Sequence, residues 1–160
     1  MRRPMIATIA VMLGITALVG CSSDAKTSTT TVGGGGGITV PAATGIPVSV
    51  TAGEKSATEK FLTLAPTSVK AGQVTFTFQN TGSHHHEMIV LKTDTPFDKL
   101  EIDAATNKVS EDSSVGEIAE TDAGKTVVKT FDLAAGNYVL VCNIEKHYGW
   151  GMRVAFTVTP

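Results

Sequence analysis

The run Asn137-Tyr-Val-Leu-Val-Cys142-Asn-Ile-Glu-Lys-His147-Tyr-Gly-Trp-Gly-Met152-Arg-Val-Ala-Phe-Thr-Val158 decides the fold. On its first limb Tyr138, Leu140 and Cys142 share one side, and on its last limb Val154, Phe156 and Val158 do the same. A period of two marks strands with one buried face. Between them a short loop carries a thiol, an imidazole and a thioether in the spacing Cys-x4-His-x4-Met. A lone Cys is usually a small buried hydrophobe and a lone Met a core filler. The joint spacing of the three, on one loop between two strands, is what points to metal ligation.

Soft sulfur from Cys and Met, with borderline imidazole nitrogen, suits a copper ion that cycles between Cu(I) and Cu(II) in a trigonal His₂Cys site with a weak axial Met. Such a site needs a second histidine. Its source is Asn80-Thr-Gly-Ser-His84-His85-His86-Glu-Met-Ile-Val-Leu91, where three histidines precede an apolar, strand-like run.

With these two segments the chain resembles the cupredoxins, the plastocyanin and azurin family of small copper proteins. Its Cys–His–Met spacing is closer to the rusticyanin and sulfocyanin branches than to plastocyanin. The resemblance spans roughly Ile46 to Pro160 and implies a Greek-key β-sandwich holding one type I copper ion. It assigns Cys142 as the thiolate ligand, His147 as an equatorial imidazole and Met152 as the long axial thioether. Matching the histidine that enters the strand selects His86 as the remaining ligand; counting from Gly82 selects His85 instead. Family members usually carry Asn or Ser after that histidine, helping to tie the two loops together. Here Glu87 stands there, placing a carboxylate near the ion, with Asn80 and Asn143 as candidate replacements for the tie. Tyr148 and Trp150 flank His147 as a candidate docking patch for a partner or as a cover against water. The spare histidines read as solvated loop residues or as hydrogen-bond partners behind the ligands.

Periodicity elsewhere agrees with an all-β domain. Val74, Phe76 and Phe78 share a face in Gln73–Gln79, while His86–Leu91 is apolar on both faces after Glu87, as in a central strand. With Ile46–Thr51, Phe61–Leu64, Thr126–Leu133 and the two limbs above, about seven strands are expected. Ala71-Gly72, Asn80-Thr-Gly82, Ala123-Gly124 and Ala135-Gly136 punctuate them as turns. Many short strands between Gly-rich turns indicate a sandwich or barrel. Residues 95–106, with Phe97, Leu100 and Ile102 on an apolar stripe, are the one segment expected to form a short helix.

The N-terminus explains the only other cysteine. Basic Met1-Arg2-Arg3, apolar Ile6–Val19 and the small-residue close Leu18-Val-Gly-Cys21 read as a secretory signal over residues 1–20. The apolar run is shorter than the about 20 residues a spanning helix needs. The Leu-Val-Gly-Cys run resembles a bacterial lipobox, which implies lipid on Cys21 and an extracytoplasmic, membrane-anchored protein. Residues 21–45, rich in Ser, Thr and Gly, cannot bury a core and read as a flexible tether of roughly 25 to 30 Å reach. Residues 46–160 then form one domain. With Cys21 lipidated, Cys142 is an odd thiol in an exported protein. A thiol coordinated to a metal ion is deprotonated and occupied.

Removing Arg2 and Arg3 leaves 11 of the 13 Lys/Arg against 15 Asp/Glu, a formal charge of −4. That mild acidity argues against nucleic acid as a partner. Copper oxidases and nitrite reductases of this fold require a further His-rich site, and only four histidines are present, so no enzymatic activity is expected. The sequence therefore predicts a membrane-tethered, monomeric one-electron carrier exchanging electrons with a protein donor and acceptor. A copper-binding or trafficking protein using the same ligands is the alternative.

Overall fold

The computed structural model describes residues 45–160. The signal segment, Cys21 and all of the tether except Gly45 lie outside the described residues. Among these residues eleven strands occur: β1 (Ile46–Glu54), β2 (Lys60–Ala65), β3 (Ser68–Lys70), β4 (Gly72–Asn80), β5 (His86–Lys92), β6 (Ile102–Asp103), β7 (Lys108–Val109), β8 (Ser114–Thr121), β9 (Thr126–Leu133), β10 (Gly136–Val141) and β11 (Arg153–Thr159). One sheet runs β2-β1-β4-β9 and the other β3-β11-β10-β5-β8, with β6 and β7 forming a separate hairpin. The pairs β1–β4 and β3–β11 are parallel, and the remaining pairs antiparallel. All seven expected strands are present, and the β-sandwich is confirmed.

The alternating patterns do the packing. Val48, Val50 and Ala52 of β1 and Val74, Phe76 and Phe78 of β4 meet Met88 and Val90 of β5, Tyr138 and Leu140 of β10, and Phe156 and Val158 of β11 in one core. Phe76 is its centre, edge-on to Phe156 at 5.6 Å between ring centroids and tilted against Phe131 at 5.9 Å. Strand β5 is buried from His86 through Leu91 because it lies between β10 and β8 in the sheet. Its Ile89 and Leu91, with Val139 and Val141 of β10, form a second cluster on the opposite face with Val109 and Tyr148.

Two expectations change. Residues 95–106 contain turns and strand β6 but no helix. Asp103 Oδ1 accepts the backbone N–H groups of Ala105 and Thr106, at 3.0 and 2.8 Å, and the Thr106 hydroxyl. That local bonding offers the backbone an alternative to the helix, and it turns the chain into the β6–β7 hairpin. The short apolar stripe also splits: Leu100 packs on the second cluster while Phe97 and Ile102 are exposed. The second change is that strands β3, β6, β7 and β8 were not expected. The longest, β8, buries only Ile118 and Thr121 and shifts register twice against β5. An edge strand of that kind has no regular period to read.

The sandwich collects four chain segments at one end. The end of β1, the β4–β5 turn, the end of β10 and the β10–β11 loop all arrive there, because Ala52 pairs with Asn80 and Val141 with Ile89. Replacing Phe76 with Ala should cost about 3–5 kcal/mol of stability. Equilibrium denaturant unfolding checks this, and a loss under about 1 kcal/mol would contradict a core organised around that ring.

Candidate metal centre

Cys142 follows directly on the last residue of β10 and is fully buried. Its Sγ accepts the Glu87 backbone N–H at 3.5 Å and lies 3.3 Å from His147 Nδ1. The 143–152 loop that delivers His147 is made of overlapping turns: His147 N–H donates to Ile144 O, Trp150 N–H to Lys146 O and Gly151 N–H to Tyr148 O. Gly151 adopts φ +111°, and a side chain there would meet Lys60 O at 2.7 Å. Only glycine fits both demands. Met152 closes the loop. Its N–H donates to His147 O and its carbonyl accepts the Cys142 N–H, and its side chain is completely buried.

His86 opens β5 and points inward, buried, while His84 and His85 are both more than half exposed. His84 pairs with Glu54 at 3.1 Å and His85 with Asp122 at 2.9 Å. The three-histidine run is thereby sorted. His86, Cys142 and His147 form the one group, among the described residues, of at least three buried ligand-type side chains whose ligand atoms all lie within 4.8 Å of one another. The His86 and His147 rings are 5.1 Å apart. His86 Nδ1 is buried without any hydrogen-bond partner, although buried polar atoms are as a rule paired. An orphaned imidazole nitrogen, a buried thiol and a second imidazole are donors that fit copper.

Electrostatics match that role. Burial raises the Cys142 thiol to about 12 against the bonds from the Glu87 and Ile144 N–H groups. Burial lowers His147 to about 4, helped by the nearby His86, and burial likewise lowers His86 against the pull of Glu54. Both rings are therefore neutral at pH 7 and keep a lone pair for a metal. The thiol holds its proton until an ion displaces it.

The tie between loops is made by Glu87 itself. Its Oε1 accepts the Asn143 N–H at 3.0 Å, and burial raises its pKa against that bond. Both asparagines also bridge, to other partners. Asn80 Nδ2 donates to His84 O and Thr121 O, and Asn143 joins Val109 and Glu111. The two aromatic residues expected beside His147 differ in exposure. Tyr148 is buried, and its hydroxyl donates to Phe97 O and accepts the Leu100 N–H. Only Trp150 keeps partial exposure, with its ring 6.0 Å from that of His147.

Sequence reasoning expected both strands of the β1–β2 hairpin but missed what its tip brings to the site. Glu54, at the end of β1, accepts a hydrogen bond from His86 Nε2 at 2.8 Å. Lys60, at the start of β2, is buried with its ammonium 5.4 Å from the centre of the Trp150 ring. The only sequence signal was a polar Gly-Glu-Lys interruption after an apolar strand.

Comparison with known proteins agrees with this geometry. The family model of copper binding proteins, plastocyanin/azurin family, matches residues 48–159. Reduced auracyanin from Roseiflexus castenholzii superimposes with a TM-score of 0.52 at 21% identity, covering 74% of this chain and 99% of that one. Rusticyanin from Thiobacillus ferrooxidans gives 0.51 at 22% identity, covering 72% and 79%. Auracyanin B gives 0.51 at 22%, covering 73% and 91%. At such identities these likenesses establish the fold. No curated protein matches the chain significantly. The chain belongs to the plastocyanin/azurin family of copper-binding proteins, and its cofactor is one type I copper ion.

Titration of the metal-free site should limit stability on both sides of neutrality. Below pH 6.5 an unfolded chain takes up a proton at residue 147 that the folded chain refuses until about pH 4, so stability falls as pH drops through that window. Above pH 9.0 the unfolded chain releases a Cys142 proton that the folded chain keeps until about pH 12, so stability falls again as pH rises. Denaturant unfolding of the metal-free chain should therefore show a plateau between about pH 6.5 and 9, with Cys142→Ser reducing the alkaline loss. Wild-type stability that stays flat from pH 9 to 11 would contradict this.

Proposed function

We propose that the protein is a membrane-tethered, extracytoplasmic one-electron carrier whose copper is held by His86, Cys142, His147 and Met152. The single observation that carries this reading is the buried His86–Cys142–His147 group, set on strand ends and locked by backbone hydrogen bonds. Copper, when bound, supplies a one-electron couple. The chain's part is to hold donors of mixed softness in one arrangement for both oxidation states, so that little has to move per electron.

Each residue has a distinct task. Cys142 gives the thiolate, with the Glu87 N–H tempering its charge. His86 and His147 give neutral imidazoles. Met152 would supply the thioether donor, a role supported by its complete burial and by its backbone bonds to both Cys142 and His147. His147 and Trp150 lie on the side where electrons leave, and Trp150 contributes the partly exposed aromatic contact for a redox protein. Lipid on Cys21 keeps the domain at a membrane surface, and the tether lets it reach its donor and acceptor. Net acidity favours a basic face on those partners. No catalytic turnover is assigned.

The copper-loaded full-length chain should show an intense visible charge-transfer band that is lost in Cys142→Ser and in His86→Ala but kept in His84→Ala and His85→Ala. Voltammetry should give a reversible one-electron wave. A colourless complex sinks the proposal, whereas metal handover to an apo-acceptor without a reversible wave favours copper trafficking.

A further inference from the structure

Among the described residues, the one carboxylate bonded to a member of the buried His–Cys–His group is that of Glu54. Its two oxygens collect four hydrogen bonds from the β4–β5 turn: Oε1 accepts from His86 Nε2 at 2.8 Å, His84 Nδ1 at 3.1 Å and His84 N–H at 3.2 Å, and Oε2 accepts from Ser83 N–H at 2.8 Å. Gly82 makes room for it, since a side chain there would collide with Oε2. A backbone N–H donates to each oxygen, Ser83 to Oε2 and His84 to Oε1, so the geometry sets the carboxylate as an acceptor on both sides.

A carboxylate whose two oxygens are both turned to backbone donors is an acceptor toward the imidazole as well. His86 must therefore carry its proton on Nε2, and in the neutral ring that leaves a lone pair on Nδ1, the buried nitrogen with no partner. A carboxylate behind a metal-ligating imidazole fixes its tautomer, orients the ring and makes it a stronger donor. A stronger, more anionic donor favours Cu(II) over Cu(I).

We propose that Glu54 is a positioning residue for the copper site: through His86 Nε2 it fixes the ring with Nδ1 as the inward donor and biases the Cu(II)/Cu(I) equilibrium toward Cu(II). The inference rests on the electron-carrier reading for its redox half, while its tautomer half stands on the metal-free chain. The opposing charge is close by. Lys60 also acts on both histidines, so one hairpin brings a carboxylate behind His86 and an ammonium beside Trp150. The couple itself is Cu(II) plus one electron giving Cu(I), the electron coming in the test from an electrode.

The test compares wild type with Glu54→Gln, which keeps the shape and an acceptor but removes the charge, and with Glu54→Ala. In the metal-free full-length chain with ¹⁵N-labelled histidine at pH 7.5, wild-type His86 should be a single Nε2–H tautomer, becoming a mixture in Glu54→Ala. In the copper-loaded chain, Glu54→Gln should keep the charge-transfer band while Cu(II) affinity falls about tenfold relative to Cu(I). For one electron that is a rise of about 59 mV in reduction potential. Gly82→Ala, which pushes the carboxylate aside without removing it, should raise the potential in the same direction and serves if Glu54→Ala fails to fold. A mixed or Nδ1–H tautomer in wild type, or an unmoved potential in both Glu54→Gln and Gly82→Ala, overturns the proposal. If the wild-type complex is colourless the electron-carrier reading falls, and the tautomer comparison still decides whether Glu54 sets the ring.

Discussion

Everything at the copper end hangs on the antiparallel pairing of β5 with β10. Val141 lies opposite Ile89, so the chain continuing past it, Cys142 and then Asn143, runs alongside Met88 and Glu87 on the other strand. Two bonds then cross the gap in opposite directions, the Glu87 N–H to the sulfur and the Asn143 N–H to the Glu87 carboxylate. A slip of one residue would turn every side chain of β5 to the opposite face of the sheet. His86 would leave the core, and the apolar residues on both faces of β5 resist that slip, since both faces are packed.

The same rigidity explains why a costly set of groups can be kept buried. A thiol, two neutral imidazoles and a carboxyl with a raised pKa share a small volume, and one imidazole nitrogen has no partner. Unpaired buried polar atoms cost free energy, and folding tolerates them where the surrounding core is strong. Here the core includes the Phe76–Phe156 contact and buried residues from every strand of both sheets. Stability generated in the middle of the sandwich is drawn on at its end, where a metal ion recovers it.

Much of this was legible in the chain. The loop Cys142–Met152 gave its ligand types and spacing outright, and strands with regular alternation, β4, β10 and β11, were visible from their period. What stayed hidden was of two kinds. Strand β8 is an edge with two buried side chains and two register shifts, so it has no pattern, and the turn at Asp103 won locally over an apolar stripe that suited a helix. Glu54 was hidden for a different reason. It is one of 15 acidic residues, and nothing near it in sequence hints at His86; only the parallel pairing of β1 with β4, which seats Ala52 beside Asn80, brings the two together. The choice among His84, His85 and His86 likewise depended on which ring faces the core.

Tyr148 lies inside the ligand loop yet spends its hydroxyl on Phe97 and Leu100, more than forty residues earlier, and Lys146 N–H reaches Asn107 O. The segment between β5 and β8 is thus a second wall of that loop. Transplanting Cys142–Met152 alone into another sandwich would leave the phenol without its two partners and the loop without its outer support. The portable unit is discontinuous: a donor loop together with the irregular strap that braces it, which must change length and sequence in step.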